Sequence, residues 1–553
     1  MLRERAALRE AKICFETALH ARLQAFGHDD VRHAVGLRDL AALVHAEGDT
    51  SRAKALLEQA LSIYDRQQPS MPCERAVCLN ELGAVLQSLG RIDAAGEAYA
   101  SALAVLRERL PAGLEVAACA NNLGRMFHDL GDLASCEPQY RQALELRTDQ
   151  LGGEHPLTAE SINNVGTLLD SVGDLEGARA FLERALLVVG HRRPEGHPDI
   201  AQIRNNLGRL LYSAGRPAEA VAHIEAALAS FQTCLGRDHV ITAQVSNNLA
   251  LVYEALGRLD EALERARESV DVFERRYGAD HPNVATALNN VGCALLRRGD
   301  VAGAERTHRR ALDIRRRSLR AGHPVTAHSL TNLGMALQVQ GNAAEALKAH
   351  AEALAILEPA RGAAHPETGQ ARNNVGAVLC ALGRYDAARS QFASAAQIFE
   401  TCYGAHPATA QAHDNLGALL LAEQAAQEAL PHLRRAVQIN RGIFGEGHPG
   451  LAASLINLGL ALHAAGALEE AERGLREAVA ILRARGDRGL EIASALTSLA
   501  ELDLDQDRPQ PAQAHFREAA ALWETLAGAA DPRAQQCRDM ARMLRASAGS
   551  DAP

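Results

Sequence analysis

The sequence has few aromatic residues, no paired cysteines and no long apolar stretch. Only 3% of its 553 residues are aromatic, which argues against several compact cores built around large side chains. Its ten cysteines include no C-x-x-C pair, so we expect neither a disulfide framework nor a zinc module. No run of 18 apolar residues occurs, and charged residues interrupt the segment from Met1 to Leu19, so neither a membrane span nor a secretory signal is predicted. These absences predict a soluble protein of a reducing compartment, the cytoplasm.

The charge balance is mildly acidic, with 58 Lys and Arg against 68 Asp and Glu. A net charge of −10 disfavours the basic footprint that is typical of nucleic-acid binding. The segment from Arg297 to Arg320 is an exception, because nine Arg stand there against three acidic residues. We expect a solvated helix face, with docking of an acidic partner or nucleic acid as the alternative.

A short element that ends in a small residue recurs along almost the whole chain. The small residue stands at Ala41, Gly83, Gly124, Gly166, Gly208, Ala250, Gly292, Gly334, Gly376, Gly417, Gly459 and Ala500. Successive copies lie 41 or 42 residues apart, and we number each repeat from this anchor residue as position 0. Positions +12 and +19 are also small in every repeat, whereas +16 is often bulky. This pattern predicts two helix backbones in close approach, with the +16 side chain filling the remaining gap.

Each repeat has the periodicity of a helical hairpin. Around Gly166, the apolar residues Ile162, Val165 and Leu169 share one helix face, and a second amphipathic helix follows after Gly173. A single hairpin cannot bury its apolar faces, so neighbouring hairpins must stack. The sequence therefore predicts an all-α solenoid of about twelve hairpins.

Both chain ends carry one further helix in the same register. Residues 1–27 match the second helix of an incomplete repeat, because Phe15 stands where the bulky +16 residue is expected. We expect twelve hairpins over residues 28–531, a C-terminal capping helix over 532–546 and a disordered tail over 547–553.

The order Leu-Gly, Ala-x3-Phe, Ala resembles the tetratricopeptide repeat. A His-Pro pair also lies eleven residues before the anchor in most repeats. These histidines are His155, His197, His281, His323, His365, His406 and His448, with His239-Val240 as a variant. Together with the 42-residue period and the Asn-Asn-Leu-Gly blocks, this is similar to the long repeats of kinesin light chains and their bacterial relatives. The resemblance implies an α-α superhelical solenoid whose groove asparagines bind an extended peptide. It departs before Gly83, Gly124 and Ala500, where His-Pro is missing.

No catalytic, cofactor or metal site is predicted. Motifs for phosphate binding, zinc hydrolysis and serine hydrolysis are missing, and the cysteines occupy unrelated repeat positions. Successive loop histidines lie too far apart to share a metal ion, and each can instead cap the helix that follows it. His308 and His350 at +16 are expected to be half-buried core residues.

Asparagines recur in the middle of the first helix at positions −3 and −2. The candidate peptide-binding residues are Asn121, Asn163, Asn205, Asn247 and Asn289 at −3, and Asn122, Asn164, Asn206 and Asn248 at −2. A helical wheel places −3 away from the core and −2 on its flank. Since first helices line the concave wall, we expect an amide ladder that can bind a peptide backbone. The alternative is that the −2 asparagines bond to the neighbouring repeat and order the stack.

Positions +1 and +4 of the first helix add candidates for ligand selectivity. Arg125, Arg209 and His128 could receive an acidic side chain, and Tyr212 could stack or form a hydrogen bond. Asp170 makes the predicted groove mixed in charge. The alternative is an ordinary solvated face.

The sequence thus predicts a non-enzymatic adaptor that binds an extended segment of another protein in its concave groove. The alternative function is a sensor or regulatory arm of a larger signalling assembly. Such an arm would dock end-on or self-associate through the N-terminal helix around Phe15.

Overall fold

The computed structural model of the protein describes residues 2–67, 71–484, 489–528 and 530–550. This part of the chain contains 26 α-helices and no β-strand, which confirms the predicted all-α solenoid. The chain divides into two compact units, unit 1 over Met1–Ala321 and unit 2 over Gly322–Pro553.

The helices follow one another as antiparallel hairpins. In unit 1 they are α1 (Leu2–Phe26), α2 (Val31–Ala46), α3 (Thr50–Arg66), α4 (Pro72–Ser88), α5 (Ile92–Arg109), α6 (Leu114–Leu130), α7 (Leu133–Leu151), α8 (Pro156–Ser171), α9 (Leu175–Arg192), α10 (Pro198–Ser213), α11 (Pro217–Cys234), α12 (Val240–Ala255), α13 (Leu259–Tyr277), α14 (Pro282–Arg298) and α15 (Val301–Ser318). In unit 2 they are α16 (Pro324–Val339), α17 (Ala343–Arg361), α18 (Pro366–Ala381), α19 (Tyr385–Tyr403), α20 (Pro407–Ala422), α21 (Ala426–Phe444), α22 (Pro449–Ala464), α23 (Leu468–Ala484), α24 (Leu490–Asp505), α25 (Pro509–Ala527) and α26 (Pro532–Ser550). From α2 to α25, even-numbered helices are the first helix of a hairpin and odd-numbered helices the second.

Close packing inside each hairpin depends on the anchor glycine. A Cβ atom at Gly208 would lie 2.4 Å from Cγ1 of Ile224, the +16 residue of the same hairpin. At Gly124 the equivalent distance to Tyr140 is 2.6 Å. The large +16 side chain thus rests directly on the backbone of the first helix, as the pattern of small and bulky residues predicts.

The two +16 histidines are buried more deeply than expected. His308 and His350 are fully buried, so the expectation of half-buried side chains is wrong. Each ring packs against the anchor glycine of its own hairpin, Gly292 or Gly334, where a Cβ atom on the glycine would lie within 2.4–2.5 Å of the ring. Burial lowers the pKa of both histidines to about 4.

Each hairpin turns at a residue in the left-handed conformation, seven residues after the anchor. Glycine occupies this position in most repeats, for example Gly90 with φ 75° and Gly299 with φ 93°. Gln424 and Asp507 occupy the same position in two hairpins of unit 2, with φ values of 61° and 55°.

The loop histidines begin the first helices, as predicted. In all eight loops the imidazole Nδ1 accepts a hydrogen bond of 3.1–3.2 Å from the backbone N–H two residues further on. This bond satisfies one N–H group that the helix start would otherwise leave without a partner.

First helices form the inner wall of each unit. Within a unit, each first helix contacts the first helix of the next repeat, whereas successive second helices make no comparable contact in the described part of the chain. A stack whose first helices are closer together than its second helices curves toward the first helices. The groove-facing side chains are therefore those of the even-numbered helices.

Unit 1 also contacts itself across five repeats. The Nε2 atom of His239, before α12, lies 3.1 Å from the carbonyl oxygen of Ala46 at the end of α2, 193 residues away in sequence. The turn at Gly90 similarly lies against His281 and Pro282 at the start of α14. The end of one first helix thus meets the start of the first helix five repeats later.

The flanking helices each pack mainly against one neighbouring helix. Helix α1 contacts α2, and α26 contacts α25. Helix α26 extends to Ser550, four residues beyond the predicted cap, and residues 551–553 of the predicted tail lie outside the described residues.

Candidate functional site

The asparagines at −3 are buried on the inner wall of unit 1. Their side chains are only 4–6% exposed, so the prediction that this position points away from the core is wrong. A helical wheel represents a single helix. It therefore cannot show that the first helix of the next repeat covers the side on which the −3 asparagines lie. The five residues concerned are Asn121, Asn163, Asn205, Asn247 and Asn289.

The asparagines at −2 link successive repeats. Asn164 Nδ2 donates to Asn121 Oδ1 over 2.8 Å, and Asn206 donates in the same way to Asn163 over 2.9 Å. The same bond joins Asn122 to Asn80, Asn248 to Asn205, and Asn290 to Asn247. This ladder is the stack-ordering arrangement that the sequence left open as the alternative for the −2 position.

Part of the ladder is a continuous chain of amides. Asn163 Nδ2 donates to Asn164 Oδ1, and Asn205 Nδ2 donates to Asn206 Oδ1 in the next repeat. These bonds alternate with the bonds between repeats. Each amide from Asn248 to Asn121 therefore donates to the next one in the same direction. Asn121 donates in turn to the Glu160 carboxylate over 3.0 Å. Hydrogen bonds in one direction polarise one another, so this chain fixes the orientation of its amides.

The −2 amides keep hydrogen-bonding capacity on the groove side. Asn122, Asn164 and Asn248 are half-buried, whereas Asn206 is 7% exposed. An asparagine amide has two N–H groups and two oxygen lone pairs, and Asn164 uses one of each within the ladder. The ladder leaves the other N–H and lone pair of this half-buried side chain unused.

A second ladder, which the sequence analysis missed, joins position +4 to position +5 of the next repeat. His128 Nε2 lies 2.7 Å from the Ser171 hydroxyl, and Gln87 Nε2 donates to Asp129 over 2.6 Å. Arg297 and Glu254 form an ion pair of 3.0 Å in the same register. Only the fixed repeat offset of these polar residues indicates the ladder in the sequence. His128 is thus engaged with α8 and is not a free receptor for an acidic group.

Arg125 and Arg209 are exposed cations on α6 and α10 of this wall. Neither forms a salt bridge with any residue that the structure describes, although Arg125 lies close to Tyr99 and Asp129. Burial raises the pKa of the Asp170 carboxyl, and the nearby Arg209 guanidinium offsets only part of this rise. Tyr212 is half-buried on α10, where burial raises the pKa of its phenol.

Protein surrounds Asp129 and His128 on the inner wall. Burial raises the pKa of Asp129 and lowers the pKa of His128, while Asp129 remains exposed at the surface. Desolvation of an exposed carboxylate is typical of a concave surface that surrounds the group with protein. Charge–charge contacts are stronger in such a place than on a convex surface.

The basic segment from Arg297 to Arg320 is largely neutralised. Its ion pairs are Arg297–Glu254, Arg298–Asp260, Arg309–Glu305, Arg310–Glu274 and Arg317–Asp280. Four of these five acidic partners come from the preceding repeat, so the arginines tie neighbouring repeats together. This favours the solvated face over docking of nucleic acid.

The described part of the chain lacks candidate metal sites and candidate membrane-spanning helices. Within it, no three or more His, Cys, Asp or Glu side chains are grouped so that they could hold a metal ion. None of the helices described has the length and apolar character needed to cross a membrane. The absence of a cofactor and of catalysis stays a prediction.

One solved structure of low identity shares the fold, and two others match shorter parts of the chain. The APC/C hetero-tetramer Cut9-Hcn1 is 16% identical, with a TM-score of 0.54 over 98% of this chain and 95% of that chain. BtubC (BKLC) from P. vanneervenii is 25% identical and covers 42% of this chain and 92% of its own, with a TM-score of 0.34. The nearly identical repeats of a putative Podosopora anserina kinesin light chain are 24% identical over 38% of this chain and 99% of that chain, with a TM-score of 0.32. None of the curated proteins matches the chain.

Models of the tetratricopeptide repeat match most of the sequence. One model matches residues 74–142, 116–186, 199–275, 242–317, 325–401, 367–441 and 408–484. Two further models of the same repeat match residues 164–233 and 492–533. Tetratricopeptide repeats generally mediate protein–protein interactions, and their solenoid is typically a non-enzymatic scaffold. The 42-residue hairpins, the matching models and the shared fold together establish that this chain belongs to the tetratricopeptide repeat family.

Proposed function

We propose that unit 1 is a non-enzymatic adaptor that binds an extended segment of another protein along its inner wall. The binding surface consists of the exposed sides of α6, α8, α10 and α12. The observation that carries this proposal is the amide ladder with unused hydrogen-bonding capacity on the same helices as two arginines that lack salt bridges.

The amides supply the sequence-independent part of the interaction. Asn122, Asn164 and Asn248 can each donate to and accept from a peptide backbone, which repeats its own N–H and C=O groups at regular intervals. The buried −3 asparagines hold these amides in place and act as positioning residues. Because the ladder is fixed before binding, only the ligand loses conformational freedom on association.

The arginines supply the selectivity. Glu160 is paired with Arg147 and Glu254 with Arg297, so two of the groove carboxylates are already neutralised, and Asp129 accepts a hydrogen bond from Gln87. Among the residues that the structure describes, neither Arg125 nor Arg209 has a carboxylate partner within salt-bridge distance, so each can form a bidentate bond to a carboxylate of the ligand. The ligand is therefore a segment with acidic side chains at two separated positions.

The experiment is a selection of random dodecapeptides on the intact chain, followed by titration of the enriched peptides. We expect acidic residues at two separated positions in these peptides. Replacing Arg125 and Arg209 together with Ala should weaken binding by about tenfold or more, because two charge-assisted contacts are lost. An Arg141→Ala/Arg179→Ala variant is the matched control, since these exposed arginines lie on second helices. Enrichment without acidic residues, or equal losses in both variants, would overturn the proposal.

Self-association through α1 is a second candidate function. Ile13 and Phe15 are exposed on this helix, which packs mainly against α2. An interface between two copies would cover them. Analytical ultracentrifugation should then show a dimer that Ile13→Glu dissociates, and a monomer at high concentration would exclude this candidate.

A further inference from the structure

The inner wall of unit 2 differs chemically from that of unit 1. Positions +1, +4 and +5 of its first helices α16, α18, α20 and α22 are almost entirely apolar. We name these residues the apolar stripe. They are Met335, Val339, Ala377, Cys380, Ala381, Ala418, Leu421, Ala422, Leu460 and Ala464.

Two polar residues, Gln338 and His463, share these positions with the apolar stripe. Gln338 is the one polar residue at these positions on α16, and its Oε1 atom lies 3.0 Å from His350 Nε2. The bond turns this amide toward the second helix of its own hairpin. On α22, the polar residue is His463, at the end of the stripe next to α24.

The apolar stripe is open to solvent at one end and continuous with the core at the other. Met335 and Val339 are 39% and 62% exposed. Leu421 and Leu460 are partly buried and pack on the large core cluster of unit 2. Contiguous apolar surface that solvent can reach marks an interaction site more often than scattered apolar residues do.

The stripe ends at two exposed carboxylates on α24, the next first helix. Glu501 and Asp505 occupy positions +1 and +5 there, and both are exposed. His463 Nε2 lies 2.6 Å from Asp505 Oδ2 and leaves the other carboxylate oxygen free of this contact. No Arg or Lys stands at these positions in unit 2. The wall therefore offers apolar surface followed by negative charge.

We propose that the inner wall of unit 2 is a second binding site, for a partner segment that has apolar side chains along one face and Lys or Arg at one end. The apolar side chains contact the apolar stripe, and the basic group pairs with Glu501 and Asp505. Burial of apolar surface supplies affinity, and the ion pairs fix the orientation of the segment. This site is independent of the acidic-segment site proposed for unit 1.

Charge complementarity decides between possible occupants. An acidic segment of the kind proposed for unit 1 would be repelled by Glu501 and Asp505. A wholly polar basic segment would pair with them but leave Met335 and Val339 uncovered. Only a segment that is both apolar and basic satisfies the whole surface.

Three synthetic peptides of equal length test the proposal on the intact chain by fluorescence anisotropy. The first carries alternating Leu residues followed by two Lys, the second replaces the Lys with Glu, and the third replaces the Leu with Ser. We expect the first to bind at least about tenfold more tightly than either of the others. Equal affinities for the three peptides would overturn the proposal.

Variants then locate the binding. Met335→Glu/Val339→Glu should abolish the preference for Leu, while Glu501→Lys/Asp505→Lys should transfer the preference to the acidic peptide. Leu187→Glu, at an equally exposed apolar residue of a second helix in unit 1, is the matched control and should change nothing. Arg125→Ala/Arg209→Ala should also leave this binding intact, so the proposals for units 1 and 2 can fail separately. If the stripe variant instead dissolves a dimer of the intact chain, the occupant is a second copy and the proposal is wrong.

Discussion

Single glycines set the distance between the two helices of a hairpin. At Gly208, a methyl group would lie 2.4 Å from Ile224 and 3.1 Å from the carbonyl oxygen of Ala220, so the second helix would have to move. We expect Gly208→Ala to lower the free energy of unfolding by about 1–3 kcal/mol, as overpacking of a core usually does. Urea denaturation followed by circular dichroism measures this.

Gly190→Ala is the control for the Gly208 prediction. Gly190 lies in α9, and an added Cβ there meets no atom within 4 Å. The same substitution should therefore stabilise the protein by about 0.5–1 kcal/mol, because alanine is the better helix former. Destabilisation by both substitutions would show that the space at the anchor is not the cause.

His308 makes stability depend on pH. Its folded pKa of about 4 lies below the unfolded value of about 6.5. The neutral ring therefore stabilises the fold above about pH 6.5, and this contribution is lost as the pH falls toward 4. His308→Leu, which places at +16 the residue that Leu57 and Leu182 provide elsewhere, should remove this dependence.

To test the His308 prediction, the urea concentration at the midpoint of unfolding is measured for the parent chain and for His308→Leu, at about pH 7.5 and at about pH 4.5. The loss of stability on acidification should be smaller in the variant than in the parent chain. The contributions of other titrating groups to this loss are the same in both proteins and cancel in the comparison. Equal losses would contradict the assignment of a depressed pKa to His308.

The repeat spacing predicted correctly which residues occupy equivalent positions, but it did not predict for every position whether the side chain is buried. The anchor glycines, the bulky +16 residues and the loop histidine caps follow from one hairpin, and the structure agrees with each. The burial of the −3 asparagines cannot be predicted from one hairpin, because the next repeat buries them. The peptide-binding role of the asparagines and of Arg125 and Arg209 stays a prediction.

At the scale of the element, the left-handed turn of each hairpin explains the recurring glycine seven residues after the anchor. Gln424 takes this conformation with φ 61° although a side chain disfavours it by about 1–2 kcal/mol. Gln424→Gly should therefore stabilise unit 2 by about 1 kcal/mol, since the added freedom of the unfolded glycine offsets part of the gain. Thermal denaturation measures the difference.

Gly466→Gln is the reverse substitution at the same position of the following repeat, where φ is 81°. It should destabilise the protein by about 1 kcal/mol or more. If both substitutions shifted the melting temperature in the same direction, backbone strain could not be the reason for the glycine pattern.

At the scale of the whole molecule, the sequence predicted the class and number of hairpins, since each hairpin has its own local signal. The contact between His239 and Ala46 had no such signal, because a period of 42 residues says nothing about which repeats meet after a superhelical turn. The division into two units was also not predicted, because the repeat register continues across it.

The long-range contact of His239 can be separated from its capping role. Asn is also a good N-cap, so His239→Asn should keep the start of α12 but lose the bond to the Ala46 carbonyl. We expect faster hydrogen exchange at residues 43–49, where α2 ends. His197→Asn, in a loop whose histidine caps α10, is the matched control and should leave this exchange unchanged.

The most direct test of the account measures how tightly a peptide selected on the intact chain binds to an Asn122→Ala/Asn164→Ala/Asn248→Ala variant of equal helicity. Asn415→Ala is the control, because it breaks the same ladder bond to Asn373 within unit 2. We predict a loss of about tenfold or more for the triple variant, since each amide contact contributes about 0.5–1.5 kcal/mol, and no loss for the control. Unchanged affinity in the triple variant would contradict the claim that the amide ladder of unit 1 binds the partner.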